Sequence, residues 1–368
     1  MSNQQQLEAP NENNKPWAKY YLDTLTVKTL NVTSSQSIAS LEVKNNLLVD
    51  GYTNSHSNQD NCGTIFLTTA YPGVAALPAG TNGADFTFSS SLGKLVISGD
   101  AGANTAAAST DGTTFAQLTT PFANPSIGWS PDLALFSGID AFGTAVYTSP
   151  TAVNGTWVLG TPLPGSTFSG FPIWISAFQR FYSGAAGVPT QQMASSLNGS
   201  LYSLIPASRD TFDMAYSPDL ARLVTVGSTG PMYSDDGKVF LNGNSSIAMS
   251  SVCWSPFWQK FVATPRLGVL TNSYSSVDGI NWLAVPNSFD AAVGNLRSVI
   301  FITELQVFIA QGDVNIYTSR DGILWRKNFN AVPGPNDIYG AIYISQWGEL
   351  VSGGLGGSVL VTPRRYAL

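Results

Sequence analysis

Seven times along this chain of 368 residues an aromatic residue is followed four positions later by a large apolar one, and three further on by Leu or Phe. The anchors are Phe88, Trp129, Trp174, Tyr216, Trp254, Phe301 and Tyr343, and successive anchors lie 38 to 47 residues apart. Self-similarity at that period belongs to repeat architectures, in which each unit buries its apolar face against the next. The fifth position reads Leu92, Leu133, Phe178, Leu220, Trp258, Leu305 and Trp347, and the eighth Leu95, Phe136, Phe181, Leu223, Phe261, Phe308 and Leu350. Ser-Pro follows the anchor in three copies, at Ser130, Ser217 and Ser255. Proline lacks an amide proton and fits a strand end or a turn. The phrase therefore predicts a strand, a tight turn and the start of a second strand.

A second phrase follows each of the first six copies: Asp111-Gly112 with Phe115, Asn154-Gly155 with Trp157, Asn198-Gly199 with Tyr202, Asp236-Gly237 with Phe240, Asp278-Gly279 with Trp282, and Asp321-Gly322 with Trp325. Asp-Gly and Asn-Gly supply the positive φ angles of two-residue hairpin turns. Each repeat then holds two hairpins, hence four strands, and four-stranded units every ~40 to 45 residues predict propeller blades. The fold expected is all-β: a seven-bladed β-propeller with four-stranded blades, preceded by a short β-rich N-terminal stalk. The seventh copy ends after one more apolar strand, so it lacks a fourth. Gly63-Thr64-Ile65-Phe66 carries the spacing of the missing phrase, and residues 63–69 are expected to close the ring and so remove free sheet edges.

These phrases resemble those of bacterial, phage and viral propeller proteins built from aromatic-Ser-Pro-x-Leu-x-x-Phe-Val followed by Thr-Ser-x-Asp-Gly-x-x-Trp. Tyr317 to Trp325 is the clearest copy. The pattern is also similar to the Asp-box of sialidase-like propellers, from which it departs because Asp and Gly are adjacent here. The resemblance spans roughly residues 63–368; it implies a fold far more than an activity, since propellers host many functions.

Residues 1–62 stand outside the repeat. A polar stretch, 1–20, is expected to be a flexible anchor. Residues 21–62 follow with four Leu-x-Val units, at Leu25, Leu30, Leu41 and Leu47. Alternation of this kind is strand-like, and a segment so short cannot cover its own apolar face. The strands either lie against the propeller or wind together from several copies. The wording resembles fibre shafts of phages and non-enveloped viruses, which implies a homotrimer joined through 21–62 and an N-terminus docked on a capsid or tail protein.

Charge narrows the partners. Lys plus Arg number 17 against 23 Asp plus Glu, a net charge of −6 with no basic cluster, which argues against nucleic acid. No apolar run is long enough to span a membrane, and the first residues lack the pattern of a signal peptide. His56 is the only histidine, so no metal site and no cofactor are expected; Cys62 and Cys253 read as two buried thiols.

In a propeller the hairpin turns emerge on one face and the longer connections on the other. Turn lengths are nearly constant, whereas the step from a fourth-strand aromatic to the next anchor is 14 residues after Phe115 and 19 after Trp282. Variable loops on a rigid scaffold are where binding residues concentrate, so the candidate ligand-binding groups are Arg209, Asp210, Asn287, Asp290, Asn336 and Asp337. On the uniform face Lys94, Arg180, Arg222 and Lys260 would alternate with the acidic turns in mutual charge balance, and Trp258 and Trp347 are core or stacking surfaces. The function expected is a virion surface fibre or spike whose head binds a host glycan or surface protein without catalysis. Two alternatives remain: a structural capsid-decoration protein and a sialidase-like glycosidase. The glycosidase needs an arginine cluster and paired carboxylates. The nine arginines are scattered, Glu304 and Glu349 lie within strand phrases, and only Asp140, Asp213 and Asp313 could converge.

Overall fold

The computed structural model describes residues 73–361, apart from 79–80, 82, 84, 99–104, 123–125, 141–144, 162–171, 185–191, 267–271, 287, 290–295, 313–314, 331–337 and 355–357. The expected anchor 1–20, the stalk 21–62, His56 and Cys62 lie outside the described residues. Among those described, 28 strands form seven four-stranded antiparallel sheets. In six sheets four consecutive strands pair in order; the seventh joins Ile338–Ile344, Glu349–Gly354 and Ser358–Val361 to Gly73–Ala76 from the other end of the chain. The fold is a β-propeller with four-stranded blades.

The first strands of the sheets are Asp85–Ser89, Ser126–Ser130, Ile173–Ile175, Asp213–Ser217, Met249–Ser255, Leu296–Ile302 and Ile338–Ile344, and they line the centre. The fourth strands, such as Val158–Leu159 and Leu241–Asn242, form the exposed rim. The apolar residues of the repeat fill the seams between sheets. Phe181 and Tyr202 of the third sheet pack on Ile139 and Val146 of the second; Tyr182 and Met193 meet Met214, Leu223 and Phe240 of the fourth. Tyr317 and Trp325 of the sixth sheet meet Cys253 and Val262 of the fifth. Burying such a side chain contributes ~1.5–3 kcal/mol, and each repeat gains it only beside a neighbour. Where strands approach closely a side chain is excluded: a Cβ on Gly128 would run into the Pro172 carbonyl.

The seventh sheet is completed by Gly73–Ala76 and not by 63–69, which lie outside the described residues. The register pairs Gly73 with Val361 and Ala76 with Ser358, and Ala75 is buried in one core with Val359 and Val361. Small residues suffice beside that core, so the aromatic spacing of 63–66 was a misleading guide. Gly73 and Val361 are paired at the hairpin-turn side, so the polypeptide enters its first described strand and leaves its last on the same face.

The first hairpin phrase is regular to the residue. In all seven sheets four residues join the first strand to the second, and the last of the four has positive φ: Gly93, Ala134, Gln179, Ala221, Gln259, Gln306 and Gly348, between 47° and 64°. Ser130, Ser217 and Ser255 cap these turns by accepting the N–H of Leu133, Leu220 and Trp258, each at 3.1 Å.

The second hairpin is not the two-residue turn that Asp-Gly suggests. In five sheets six residues connect the third and fourth strands, at 110–115, 197–202, 235–240, 277–282 and 320–325. A serine ending the third strand accepts the glycine N–H: Ser109 with Gly112 at 2.9 Å, Ser276 with Gly279 at 2.8 Å. The Asp or Asn then accepts two further backbone N–H groups; Asp278 Oδ1 takes Ile280 at 2.8 Å and Asn281 at 2.7 Å. The glycine stands at φ 66–76° in these five. The second sheet departs from the expected Asn154-Gly155 turn: Ala152, φ 45°, takes the glycine place with its N–H on Ser149 Oγ at 2.9 Å. Asn154 reaches instead to Thr119 N of the first sheet, at 2.8 Å.

Candidate functional site: an arginine-aromatic arc at the central mouth

The first strands of the fifth, sixth and seventh sheets each carry a register shift at the same place, four residues before the anchor. Pairing skips Ser250 between Met249 and Ser251, Arg297 between Leu296 and Ser298, and Tyr339 between Ile338 and Gly340. In the first four sheets the paired stretch of the first strand begins only after the corresponding position, at Asp85, Ser126, Ile173 and Asp213. A bulge bends its strand and re-aims the extra side chain. Three in succession, at the long-connection end of the innermost strands, remodel one arc of the central mouth.

The re-aimed groups interact across sheets. The Arg297 guanidinium lies over the Tyr339 ring at 4.2 Å, spanning the sixth and seventh sheets. Arg266, exposed at the end of the fifth sheet's second strand, lies over Phe212 at 3.8 Å, spanning the fourth and fifth. Phe212 occupies the same place before its anchor, Tyr216, as the bulged residues do before theirs. Ser250, half-buried, is bonded to Thr264 Oγ1 of its own sheet at 2.9 Å. Stacking on a ring holds a guanidinium in one plane.

Beneath the arc, Asp213 ties three strands together. Its Oδ2 accepts Ser251 Oγ at 2.5 Å and Val252 N at 3.0 Å, and Ser251 Oγ in turn accepts Val299 N at 2.9 Å. Burial pushes the Asp213 carboxyl up to about 6, against the pull of these hydrogen bonds. Cys253, a buried free thiol, is raised by its own burial and by Asp213.

The expected ligand-binding residues fare differently from one another. Asp210 is buried, accepting Ser228 N at 2.9 Å and Ser228 Oγ at 2.5 Å, and Arg209 donates to the carbonyls of Pro231 at 2.9 Å and Ser245 at 2.6 Å. Both tie their connection to neighbouring ones on the long-connection face. Asn287, Asp290, Asn336 and Asp337 lie outside the described residues. Of the carboxylates that a glycosidase would bring together, Asp140 accepts Ala145 N at 3.1 Å within its own connection, Asp213 is bound up as above, and Asp313 lies outside the described residues. Glu304 accepts Ser345 Oγ on the opposite face, and Glu349 is buried there. Among the described residues no three His, Cys, Asp or Glu side chains group to hold a metal ion.

On the hairpin face two cations tie one sheet to the next. Lys94 Nζ donates to Thr151 O at 2.7 Å. Arg222 forks onto Asp235 at 2.6 and 2.8 Å and reaches Asp278 O at 2.6 Å. Trp347 packs into the seam with Phe88, while Trp258 is 42% exposed beside Phe257, 52% exposed, and its Nε1 is fixed on Arg320 O at 2.6 Å.

Arg297 and Tyr339 belong to no motif; what they share with Phe212 and Ser250 is only their place four residues before an aromatic anchor. The chain matches no protein-family model, and no curated protein is similar to it in sequence. Its assignment rests on its own repeats and geometry.

Proposed function

We propose that this chain is a virion surface fibre or spike protein: a seven-bladed, non-catalytic head that binds a host-cell glycan or surface protein, attached by its N-terminus to a capsid or tail protein and assembled as a homotrimer through residues 21–62. The resemblance of the repeats to phage and viral propellers supplies the setting. The observation that carries the reading is where the first and last described strands begin and end. Gly73 and Val361 lie on the hairpin face, opposite the arginine-aromatic arc and the long connections. A head tethered through the chain preceding Gly73 turns that arc outward.

The test blocks one face at a time. In a Cys62→Ser background, Ile247→Cys on the long-connection face or Val277→Cys on the hairpin face is conjugated to polyethylene glycol; the buried Cys253 is expected to stay unmodified. Saturable binding of the fluorescent full chain to a panel of candidate host cells should vanish with the conjugate at 247 and survive at 277. Loss at 277 alone reverses the orientation. A full chain that binds no cell yet adds to capsids is a decoration protein.

A further inference from the structure

We infer that Asn154-Gly155 is a site of spontaneous covalent modification, at which the Asn154 side-chain amide is lost to give aspartate or isoaspartate. The inference stands apart from the recognition reading. In this reaction the Gly155 nitrogen gives up its proton to solvent and attacks Asn154 Cγ. The Cγ–Nδ2 bond breaks, ammonia leaves, and a five-membered succinimide remains. Water then opens either carbonyl of that ring, so that in net one water is consumed and one ammonia released, with no change of oxidation state. The attacking group must be a backbone N–H that nothing else holds, on a residue with no Cβ to obstruct it.

The repeat supplies the comparison. Four Asn-Gly pairs occur in the chain: Asn82-Gly83, Asn154-Gly155, Asn198-Gly199 and Asn242-Gly243. The Gly83 N–H donates to Gly354 O at 3.0 Å, that of Gly199 to Ser196 Oγ at 2.9 Å and that of Gly243 to Pro231 O at 2.9 Å. A serine likewise holds the glycine N–H of each described Asp-Gly turn, at Gly112, Gly237, Gly279 and Gly322. Gly155 is the exception: its N–H has no partner among the described residues. The cause is the departure of the second sheet, where Ala152 has taken the serine bond and left Asn154-Gly155 beyond it. Gly155 is exposed and a Cβ on it would meet nothing within 4 Å, whereas Gly199 and Gly243 are buried against Phe181 and Pro231. Asn198 Oδ1 is held forward by the N–H groups of Ser200 and Leu201, both at 3.0 Å. The one bond to the Asn154 side chain comes from Thr119 N at 2.8 Å and falls on Oδ1, where charge collects during the attack. Thr119 belongs to the first sheet, so the two products differ in consequence. Aspartate keeps an acceptor for that N–H, whereas in isoaspartate the main chain runs through the former side chain and the tie between the two sheets is lost.

The experiment keeps the full chain in mildly alkaline buffer, samples it over weeks, digests it and reads the peptides by mass spectrometry, with electron-transfer fragmentation to separate aspartate from isoaspartate. In the folded chain acid at position 154 should accumulate at least tenfold faster than at 198 or 242. In the chain unfolded by guanidinium the three positions should react at similar rates. Equal rates in the folded chain overturn the inference, and so does a lead of position 154 that persists undiminished after unfolding. Asn154→Asp should keep the parent's thermal midpoint, and chain converted to isoaspartate should melt below both; an isoaspartate form that melts with the parent overturns the loss of the tie.

Discussion

Ala221 holds φ 49° at a place where the first and seventh sheets use Gly93 and Gly348. An L-residue there is strained by ~1–2 kcal/mol, and glycine removes the strain at an entropic cost of ~0.5–1 kcal/mol. Ala221→Gly is therefore expected to stabilise the fold by about 0.5 kcal/mol in a denaturant titration. Gly237 is the opposite case. Its φ is 66°, and a Cβ there would strike the Tyr182 hydroxyl, which donates to the Gly237 carbonyl at 3.0 Å. Gly237→Ala should cost more than ~2 kcal/mol, through a strained φ and a displaced buried ring together; an unchanged midpoint would refute the close approach. The sequence shows the glycine plainly, whereas nothing near Tyr182 in the chain announces that its hydroxyl reaches 55 residues ahead.

At the scale of an element, the serine before each Asp-Gly is what sets the turn. Ser276 accepts Gly279 N at 2.8 Å and donates to Asp278 Oδ1 at 2.9 Å. Ser276→Ala should cost ~1–2 kcal/mol, as loss of a capping side chain does, with Trp282 fluorescence reporting the loosened turn. The strand-turn-strand order and the spacing of the blades were legible from Phe88 to Tyr343. The six-residue turn was not, because Asp-Gly is compatible with several turn geometries and the serine bonds that select one are made by an ordinary residue. Titration separates two kinds of aspartate. Burial alone would raise Asp278, but hydrogen bonds from Asn281, Ile280 and Ser276 outweigh it and bring the group to about 2. The stability it contributes is present above its unfolded value near 3.8 and lost as pH falls towards 2. Asp213 runs the other way. With its folded value at about 6, above the unfolded 3.8, its contribution is full below pH 3.8 and lost as pH rises through 6. Guanidinium midpoints measured from pH 4 to 7 should fall less steeply with rising pH in Asp213→Asn than in the parent; identical profiles would remove Asp213 as the cause.

For the whole molecule the decisive element is Gly73–Ala76. A chain beginning at residue 78 keeps every other described strand, yet leaves the Ser358–Val361 edge without its partner and uncovers the core shared by Val359, Val361 and Leu95. It should unfold at a lower temperature and aggregate through the exposed edge, measured by scanning calorimetry and light scattering against a chain beginning at residue 60. The need for a closing strand was readable in the sequence from the incomplete seventh copy. Which segment supplied it was not, since Gly-Val-Ala-Ala bears no motif and is recognised only by the apolar surface it meets. The same joint has a mechanical meaning. A pull applied at Gly73 against the long-connection face loads the molecule along the axis of that strand. The force then runs parallel to the strand and across the four paired positions from Gly73 to Ala76 at once, in shear. Pulling the two chain ends apart would instead open the same pairs one after another, as in unzipping. The blade closed by Gly73–Ala76 is thus stiff against a pull along that strand and weak against a pull that separates Gly73 from Val361.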